Sequence, residues 1–384
     1  MAAHSLNEYR NLFPIFAQQP GIAYLANCSA APLAEPVRHA VNEYLDSRNR
    51  NAPDWETWMD VATRSKAAFA RLIGAAADEI AIFSSLSDAL SSIAGCLIEH
   101  KPAHVVTTAS EFPTVGHVWS AHQQHGNCSV TFVRPARPDG VFNVAEIKAA
   151  VRSNTRVICV HHVAYYNGAK QDLAAIAALT HSVGAQFVVD AYQSMGTCRL
   201  DVKKLGIDVL ISGNLKYLLG LPGTAYMYVE KSLANRLQPT VTGWFGRANP
   251  FNFDATQFDY ADGTARFNTG TPPVIAAYGS LAGMELIERV GLAAIEKRID
   301  ELSEFTLRKA KQYGLKIASP ITVHEKGANT AIHVQDADTL GAELRKDKII
   351  VSPRKDVIRL APHFFTTEAE LDGALSAIHK HVNR

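Results

Sequence analysis

Residues 208–229 read DVLISGNLKYLLGLPGTAYMYV, two apolar runs with a single lysine between them. The runs 208–213 and 224–229 are continuous rather than alternating, which is typical of strands buried on both faces of a sheet. Lys216 follows the first run and precedes a turn rich in glycine and proline. A lysine at such a strand end is desolvated, which lowers the pKa of its amine and makes it a candidate nucleophile. The alternative is a surface lysine that points outward.

The segment between residues 55 and 230 alternates short apolar runs with helical patterns. Continuous apolar runs with intervening helices predict a mostly parallel α/β sheet. Asp172 is expected to cap one of the helices, and Gly184 to end it. The other strand-like runs are 79–85, 104–110, 129–135, 156–163 and 186–191.

The C-terminal part of the sequence has a different pattern. From about residue 276 it predicts one long helical stretch that leads into a smaller domain. The strand-like runs of that domain are 330–335, 349–354 and 357–362. The expected organisation is an N-terminal arm (1–20), a large domain (21–255), and a linking helix with a small C-terminal α+β domain (256–384).

The composition disfavours several functional classes. The chain has 384 residues, of which 47% are hydrophobic and 20% charged, and its formal net charge is +1. This balance is ordinary for a globular protein and gives no support for binding nucleic acid or a membrane surface. No apolar run is long enough for a transmembrane helix, and the N-terminus lacks the apolar core of a signal peptide. We therefore expect a cytoplasmic location without membrane attachment.

The cysteines and histidines give little support for a metal site. The five cysteines are an odd number and form no CxxC pair, which disfavours a disulfide framework and structural zinc. His161 and His162 are adjacent on a predicted strand, so their side chains should point to opposite faces of the sheet. No metal ion is expected.

Polar and aromatic residues follow the ends of the predicted strands, where ligands bind in open α/β sheets. Ser84–Ser87 precede a helix whose N-terminus could hold a phosphate, although Ser87 could also be a simple helix cap. Phe112 could stack on a planar ligand or belong to the core. Asp190 ends an apolar strand, where a carboxylate is costly unless it is paired, for example in a cap or a salt bridge.

Together with Lys216 these residues form the set that pyridoxal phosphate requires. Its aldehyde forms a Schiff base with a lysine, and its ring nitrogen needs a carboxylate partner so that the ring can accept electrons. Its phosphate suits a helix N-terminus, and its ring needs an aromatic neighbour. Lys216 lies 26 positions after Asp190, at the end of a later strand.

The sequence resembles the class V aminotransferase family, which belongs to fold type I of the pyridoxal-phosphate enzymes. The family includes cysteine desulfurases, isopenicillin N epimerase and kynureninase. The resemblance extends from residues 22–33 to 357–375 and is densest over 188–229. It implies a large domain with a mostly parallel seven-stranded sheet between helices, and a smaller C-terminal α+β domain.

The resemblance also implies roles for individual residues. Lys216 would form the Schiff base, Asp190 would pair with the ring nitrogen, and Gln193 would contact the ring hydroxyl. Arg359 would bind the substrate carboxylate, and Tyr165 or Tyr166 could line the substrate pocket, with core packing as the alternative. The remaining implied cofactor contacts are stacking by Phe112 and phosphate binding by Leu86, Ser87, Ser212 and Thr271. Thr271 and residues 243–246 would reach the site of a second subunit, so the resemblance implies a homodimer with shared active sites.

Three positions depart from the family pattern. Residues 336–358 contain no cysteine, whereas cysteine desulfurases carry a nucleophilic cysteine shortly before the substrate arginine. Leu215 occupies the position of a histidine in desulfurases and a tyrosine in kynureninases, so an acid–base or phosphate contact from that position is absent. Tyr165 stands where desulfurases have asparagine.

The predicted activity is that of a pyridoxal-phosphate enzyme acting on an α-amino acid or a close analogue. Transamination is ranked first, with C–S or other β-elimination and epimerisation as alternatives on the same scaffold. A nicotinamide-dependent oxidoreductase is disfavoured because no GxGxxG follows a strand. A cofactor-binding protein without turnover is disfavoured because both Lys216 and Asp190 are present.

Overall fold

The structure is a computed structural model, and it describes residue 6 and residues 8–99 and 102–382. The start of the predicted N-terminal arm and the last two residues of the predicted small domain therefore lie outside the described residues. The helices are α1 (Pro14–Gln18), α2 (Glu35–Asn51), α3 (Trp55–Ile73), α4 (Leu86–Leu97), α5 (Pro113–Gln124), α6 (Val144–Ala150), α7 (Leu173–Ser182), α8 (Val202–Leu205), α9 (Lys231–Arg236), α10 (Val274–Val290), α11 (Leu292–Gln312), α12 (Ala337–Lys346) and α13 (Glu368–Val382). The strands are β1 (Ala23–Tyr24), β2 (Ile80–Phe83), β3 (Ala103–Thr108), β4 (Cys128–Val133), β5 (Thr155–His161), β6 (Gln186–Asp190), β7 (Val209–Gly213), β8 (Ala225–Val229), β9 (Thr330–His333), β10 (Ile349–Ile350), β11 (Ser352–Arg354) and β12 (Val357–Leu360).

A mostly parallel sheet contains the strands predicted from the continuous apolar runs. Its order is β2-β8-β7-β6-β5-β3-β4. The neighbours from β7 to β4 run parallel to one another, and β8 runs antiparallel to both β7 and β2. Strands β2, β3, β7 and β8 are buried along their whole length, which is the reason for their uninterrupted apolar sequences. The predicted fold class is confirmed.

Each face of the sheet carries its own hydrophobic core, because successive side chains of a strand point to opposite faces. Val189 and Leu210 pack in the core that includes residues of α3, α7 and α10. Their sequence neighbours Val188 and Val209 pack in the core that includes residues of α4 and α5. Helices therefore cover both faces and leave the ends of the strands free to form a site.

The structure confirms one helix cap that was predicted from the sequence and contradicts another. Asp172 caps α7 as predicted, since its side chain accepts a hydrogen bond from the N–H of Ala175 at 3.1 Å. The cap of α4 is Ser85, whose hydroxyl accepts from the N–H of Asp88 at 3.1 Å. The alternative interpretation of Ser87 as the cap is wrong, because Ser87 already lies in the first turn of the helix.

The long helical stretch predicted from residue 276 is wrong in one respect, since the chain forms two helices, α10 and α11. They separate at Gly291, which has a φ of 89°. This left-handed conformation suits glycine, which lacks the Cβ that makes it costly for other residues. The turn at Gly291 redirects the chain from the large sheet toward the C-terminal part.

The C-terminal part contains a three-stranded antiparallel sheet in the order β11-β12-β9. Its core includes residues of α12 and α13, and Leu25 from the N-terminal part lies in the same core. Strand β1 pairs in parallel with β10, so residues 23–25 pack with the C-terminal part. The domain boundaries given above stay a prediction. In the part of the chain that the structure describes, no helix is long and apolar enough to cross a membrane.

Candidate active site

The carboxyl ends of the parallel strands meet at one edge of the sheet, around a cavity of about 240 Å³. Ser84 follows β2, Phe112 comes after β3, Asp190 ends β6, and Lys216 comes after β7. Parallel pairing brings these segments together although they are distant in sequence. The cavity is also lined by His161, Tyr165, Tyr192, Gln193, Leu215 and Thr224. The structure thus brings together the predicted lysine, carboxylate and aromatic residue.

The Lys216 amine lies near two aromatic rings. Its Nζ atom is 3.9 Å from the ring centroid of Tyr192 and 5.7 Å from that of Phe112. Burial lowers the pKa of Lys216 to about 8, although the charge of Asp190 opposes this effect. The lysine is therefore a desolvated amine rather than an outward-pointing surface residue.

The residues on either side of the cavity lysine are anchored by hydrogen bonds. The N–H of Ala31 donates to the carbonyl of Leu215 at 3.0 Å. His363 Nε2 donates to the carbonyl of Tyr217 at 2.9 Å, and His363 Nδ1 accepts from the N–H of Phe364. Burial lowers the pKa of His363 to about 4, so the ring stays neutral and keeps this donor. Segments from both ends of the chain therefore fix the lysine in place.

Asp190 is held as a carboxylate that faces the cavity. Its Oδ1 atom accepts a hydrogen bond from the N–H of Tyr192 at 2.9 Å. Burial raises the pKa of Asp190 to about 6; the Tyr192 hydrogen bond and the charge of Lys216 oppose this rise, while the charge of Glu111 adds to it. Asp190 is therefore ionised at neutral pH and remains able to bind a proton-bearing group.

A buried pair formed by Glu111 and His161 lies beside Asp190 and was not predicted from the sequence. Glu111 Oε1 accepts from His161 Nδ1 at 2.9 Å and from the N–H of His161 at 3.1 Å. Gln171 Nε2 donates to His161 Nε2 at 3.1 Å, which places the imidazole proton on Nδ1. Burial alone would lower the pKa of His161, but the charge and hydrogen bond of Glu111 raise it. The available signal was Glu111 itself, a carboxylate after an apolar strand.

His161 and His162 point in opposite directions, as the strand geometry predicts. His161 lines the cavity with Lys216, whereas His162 lines a different cavity. Among the residues that the structure describes, no cluster of histidine, cysteine and carboxylate side chains could hold a metal ion.

Tyr192 is a second cavity residue that the sequence analysis missed. Its ring centroid lies 3.9 Å from the Lys216 amine, and a Cβ added at Gly213 would overlap this ring. Burial, together with the charge of Asp190, raises the pKa of the Tyr192 phenol, so the phenol stays protonated. The glycine at the end of β7 thus leaves room for the aromatic ring. The signal was the position of Tyr192 two residues after Asp190.

The N-terminus of α4 lies at the cavity. Leu86 and Ser87 line it, and the Ser87 hydroxyl lies 3.1 Å from the Thr114 hydroxyl. The free N–H groups of a first helical turn favour a phosphate. Ser212 is not among the described residues that line the cavity, because its hydroxyl is buried and donates to the carbonyl of Gly213 at 2.8 Å.

Two buried oxygen atoms of the cavity have no hydrogen-bond partner within the described part of the chain. They are Gln193 Oε1 and Thr224 Oγ1. The other end of the Gln193 amide donates from Nε2 to the carbonyl of Cys28 at 3.0 Å, which fixes its orientation. Because an unsatisfied buried polar atom is costly, both oxygens are suited to contact a bound polar ligand.

Arg359 lies beside the cavity but is engaged by the protein. Arg359 is almost fully buried, with 1% of its surface exposed. Its Nη1 atom donates to the carbonyl of Tyr165 at 2.8 Å, and Nη2 and Nε donate to the hydroxyl and carbonyl of Ser352 at 2.5 and 3.2 Å. The Tyr165 ring lines the cavity and packs edge-to-face on Phe112. The predicted role of Arg359 toward a substrate stays a prediction.

Thr271 lies apart from Lys216, in a neighbouring cavity of about 550 Å³. Phe245 from the predicted loop 243–246 lines the same cavity. Ser84 borders both cavities. The predicted contact of Thr271 with the site of a partner subunit therefore stays a prediction.

The sequence and the fold are similar to those of known enzymes. A family model described as Aminotransferase class-V matches residues 23–353. An uncharacterized aminotransferase of Bacillus subtilis, YcbU, is 38% identical over 375 residues, which are 98% of this chain and 98% of that protein. A kynureninase of Deinococcus radiodurans is 28% identical over 322 residues, 82% of this chain and 76% of that protein. A probable cysteine desulfurase of Methanothermobacter thermautotrophicus is 28% identical over 288 residues, 73% of this chain and 70% of that protein.

Solved structures share the fold at lower sequence identity. The apo structure of a cysteine desulfurase from Thermococcus onnurineus NA1 matches with a TM-score of 0.90 and 22% identity, covering 100% of both chains. A mutant of C-DES with glycine covalently linked to its PLP cofactor matches with a TM-score of 0.88 and 19% identity, covering 96% of this chain and 98% of that one.

Proposed function

The chain belongs to the class V aminotransferase family, and from this premise we propose that it is a transaminase that acts on an α-amino acid. Members of the family use pyridoxal phosphate, and the chain is an enzyme, either a transaminase or a lyase. The alternative of a cofactor-binding protein without turnover is therefore set aside. The observation that carries the proposal is the buried Lys216 amine, which lies near the rings of Phe112 and Tyr192 and interacts with the charge of Asp190.

The cavity fits the cofactor. When bound, pyridoxal phosphate supplies an aldehyde that condenses with amines and a ring that accepts electrons. Phe112 and Tyr192 offer two aromatic faces to a flat ring, and Leu86 and Ser87 offer a helix N-terminus to a phosphate. The unpartnered oxygen of Gln193 would meet the ring hydroxyl. Asp190, at the end of β6, would meet the ring nitrogen.

Asp190 and Lys216 have separate roles in the proton transfers of the proposed reaction. Asp190, ionised at neutral pH, holds a proton at the ring nitrogen and so keeps positive charge there. Lys216 Nζ, neutral above about pH 8 before the cofactor binds, is the base that takes the proton from the substrate Cα. Leu215 offers no second acid–base group at the neighbouring position, so we assign the proton steps near Cα to Lys216.

Arg359 would hold the substrate carboxylate with its planar guanidinium, which forms two parallel hydrogen bonds. In this structure Nη1 donates to the carbonyl of Tyr165. A bound carboxylate would have to replace that carbonyl, which couples substrate binding to a shift of the Tyr165 segment. Because the Tyr165 ring packs on Phe112, such a shift would also reach the cofactor cavity.

Transamination is favoured over elimination by two observations. The relative that is 38% identical over 98% of the chain is described as an aminotransferase. The segment 336–358 has no cysteine that could act as a sulfur-accepting nucleophile. A lyase reaction remains the second candidate, because a kynureninase and a probable cysteine desulfurase are 28% identical to the chain. Epimerisation is ranked third.

The products formed from a panel of amino acids test this proposal. The panel includes cysteine and cystine conjugates, with and without a keto acid acceptor, and the assay measures keto acid, ammonia, pyruvate and sulfide together. Transamination predicts keto acid and a new amino acid in equal amounts, dependent on the acceptor. Release of ammonia with pyruvate or sulfide without an acceptor would instead assign the chain to the lyases.

The reactivity of Lys216 is expected to rise as the pH increases through about 8, because the pKa of its buried amine is lowered to that value. Only the neutral amine attacks an aldehyde, and its fraction grows as the pH passes the pKa. The rate at which cofactor-free protein captures pyridoxal phosphate, followed by absorbance, should therefore level off above pH 8. A free lysine derivative is the control, and its rate should still rise there. A protein rate that rises in parallel with the control would contradict the prediction.

Gly213→Ala is expected to weaken cofactor binding by about tenfold, because the added methyl group displaces the Tyr192 ring. The dissociation constant measured by absorbance titration tests this. Gly373→Ala is the matched control, since nothing lies within 4 Å of a Cβ there. If the ring is the reason, adding Gly213→Ala to Tyr192→Ala should cost no further affinity. If Gly213→Ala lowers the cofactor affinity equally in the native and Tyr192→Ala backgrounds, its effect does not depend on the Tyr192 ring.

We also propose a homodimer with shared active sites in the cytoplasm. Phe251, Phe253 and Phe258, close to the loop 243–246, expose 64%, 77% and 58% of their surface, which favours a covered interface in an assembly. All five cysteines are free, which suits a reducing compartment. A fully active monomer in solution would argue against the roles of Thr271 and residues 243–246.

A further inference from the structure

A second polar cavity lies beside the substrate arginine and contains an excess of positive charge. Its volume is about 580 Å³. Arg345, Lys348 and Arg354 line it, and none of the described lining residues is Asp or Glu. The Lys348 amine donates to the carbonyl of Pro20 at 3.1 Å. Among the residues that the structure describes, no hydrogen bond or ion pair engages the guanidinium of Arg345 or Arg354. We call this space the basic cavity.

The basic cavity adjoins the site through two elements. Ser29 and Ala30 line it, and the next residue, Ala31, donates its N–H to the carbonyl beside the cavity lysine. Ser352 also lines it, and the hydroxyl and carbonyl of Ser352 hold the guanidinium of Arg359. One wall of the basic cavity is therefore built from residues that position the substrate-binding and cofactor-binding groups.

Arg354 and Arg359 lie on the same face of the hairpin formed by β11 and β12. Ser352 pairs with Arg359, and Arg354 pairs with Val357. Residues directly opposite each other, and residues two apart on a strand, share a face. Arg354 is thus displaced from the Ser352–Arg359 pair by two residues, about 6.8 Å along the strand. The register therefore places Arg354 on the same face of the hairpin as the arginine that would hold the α-carboxylate.

Both arginines act on the cavity lysine. Their positive charges contribute to lowering the pKa of Lys216, after the larger effect of burial. Arg354 is therefore within electrostatic reach of the amine that reacts with the substrate. Unlike Arg359, which the protein engages at every nitrogen, Arg354 has its whole guanidinium fork available for an anion.

We infer that the substrate is an amino acid with a second carboxylate on its side chain, and that Arg354 binds this carboxylate in the basic cavity. The inference rests on the proposed function, in which Arg359 holds the α-carboxylate and Lys216 removes the Cα proton. Arg345 and Lys348 raise the local positive potential and attract the dianionic substrate. A neutral side chain would leave the Arg354 fork unpaired.

Substrate discrimination by the cofactor-loaded enzyme tests this inference. L-Glutamate, L-glutamine and L-norvaline are compared by their steady-state constants and by the dissociation constants from the change in the cofactor absorption band. We expect kcat/KM for glutamate to exceed the other two at least tenfold. Arg354→Gln should lower kcat/KM for glutamate by about 10- to 100-fold, mainly by raising KM, and should leave kcat/KM for norvaline unchanged. Arg134→Gln, an exposed arginine outside both cavities, is the matched control and should change nothing.

The outcomes separate the inference from the proposed function. If neutral amino acids react as well as glutamate, or if Arg354→Gln lowers kcat/KM equally for all three substrates, the inference fails while the transaminase proposal stands. If no amino acid changes the absorption band, the proposed function fails, and the inference fails with it. Glutarate, which has both carboxylates but no amine, should compete with glutamate, whereas butyrate should not. Equal competition by glutarate and butyrate would also overturn the inference.

Discussion

Lys216→Ala is expected to abolish turnover and covalent retention of the cofactor. Among the described residues that line the cavity, Lys216 is the only lysine. The variant therefore removes both the attachment point of the cofactor and the base for the Cα proton. Loss of a general base alone reduces rates by about 10²–10⁴-fold, and loss of the attachment point adds to this. Single-turnover measurements with an amino acid that reacts in the native enzyme give the size of the effect.

Lys66→Ala is the control for this variant. Lys66 lines the neighbouring cavity, and burial lowers the pKa of its amine as well. It resembles Lys216 in environment but is not among the residues of the Lys216 cavity. Turnover should survive in the Lys66 variant. If both variants lose activity to the same degree, general destabilisation explains the result better than a specific role of Lys216.

Asp190→Asn is expected to lower kcat on the order of 10²–10³-fold, comparable with the loss of one charge-stabilising group in an active site. An amide is similar in shape but cannot keep a proton on the ring nitrogen, so the ring accepts electrons less well. The N–H of Tyr192 can still donate to the amide oxygen, because this bond involves only Oδ1. Folding should therefore be preserved while kcat falls with little change in KM.

Asp208→Asn is the matched control for the charge change. Asp208 also sits at the sheet, where its carboxylate accepts from the N–H of Phe187 at 2.7 Å, but it is not among the described residues of the Lys216 cavity. Its variant should keep kcat and the cofactor absorption spectrum. An Asp190→Asn enzyme with native kcat would show that another group holds the ring proton, and Glu111, a buried carboxylate whose charge acts on Asp190, is then the one to examine.

The fold was predictable from the sequence because a strand that is buried on both faces has an uninterrupted apolar sequence. The uninterrupted apolar runs around Lys216 and Asp190 identify β6, β7 and β8, and the alternation with helices identifies the parallel sheet. The same reasoning placed the lysine and the carboxylate at the strand ends. It could not reveal the break at Gly291, because a single glycine within a helical pattern is compatible with either one helix or two.

The cavity residues that escaped prediction depend on contacts between distant segments. Tyr192 covers the lysine only because Gly213, on another strand, leaves space for its ring. Glu111 and His161 are 50 positions apart and meet through the pairing of β3 with β5. Ser212 was expected at the phosphate end, but its hydroxyl turns to the carbonyl of Gly213. Side-chain direction within a buried strand end is set by such neighbours rather than by local sequence.

The attachment point of the cofactor is the most direct test of the account. The native protein is loaded with pyridoxal phosphate, reduced with borohydride, digested, and analysed by mass spectrometry. We expect one modified peptide, which contains Lys216, and no modified peptide in the Lys216→Ala variant. Modification at Lys66 or another lysine, or no modification of a protein that has taken up the cofactor, would contradict it.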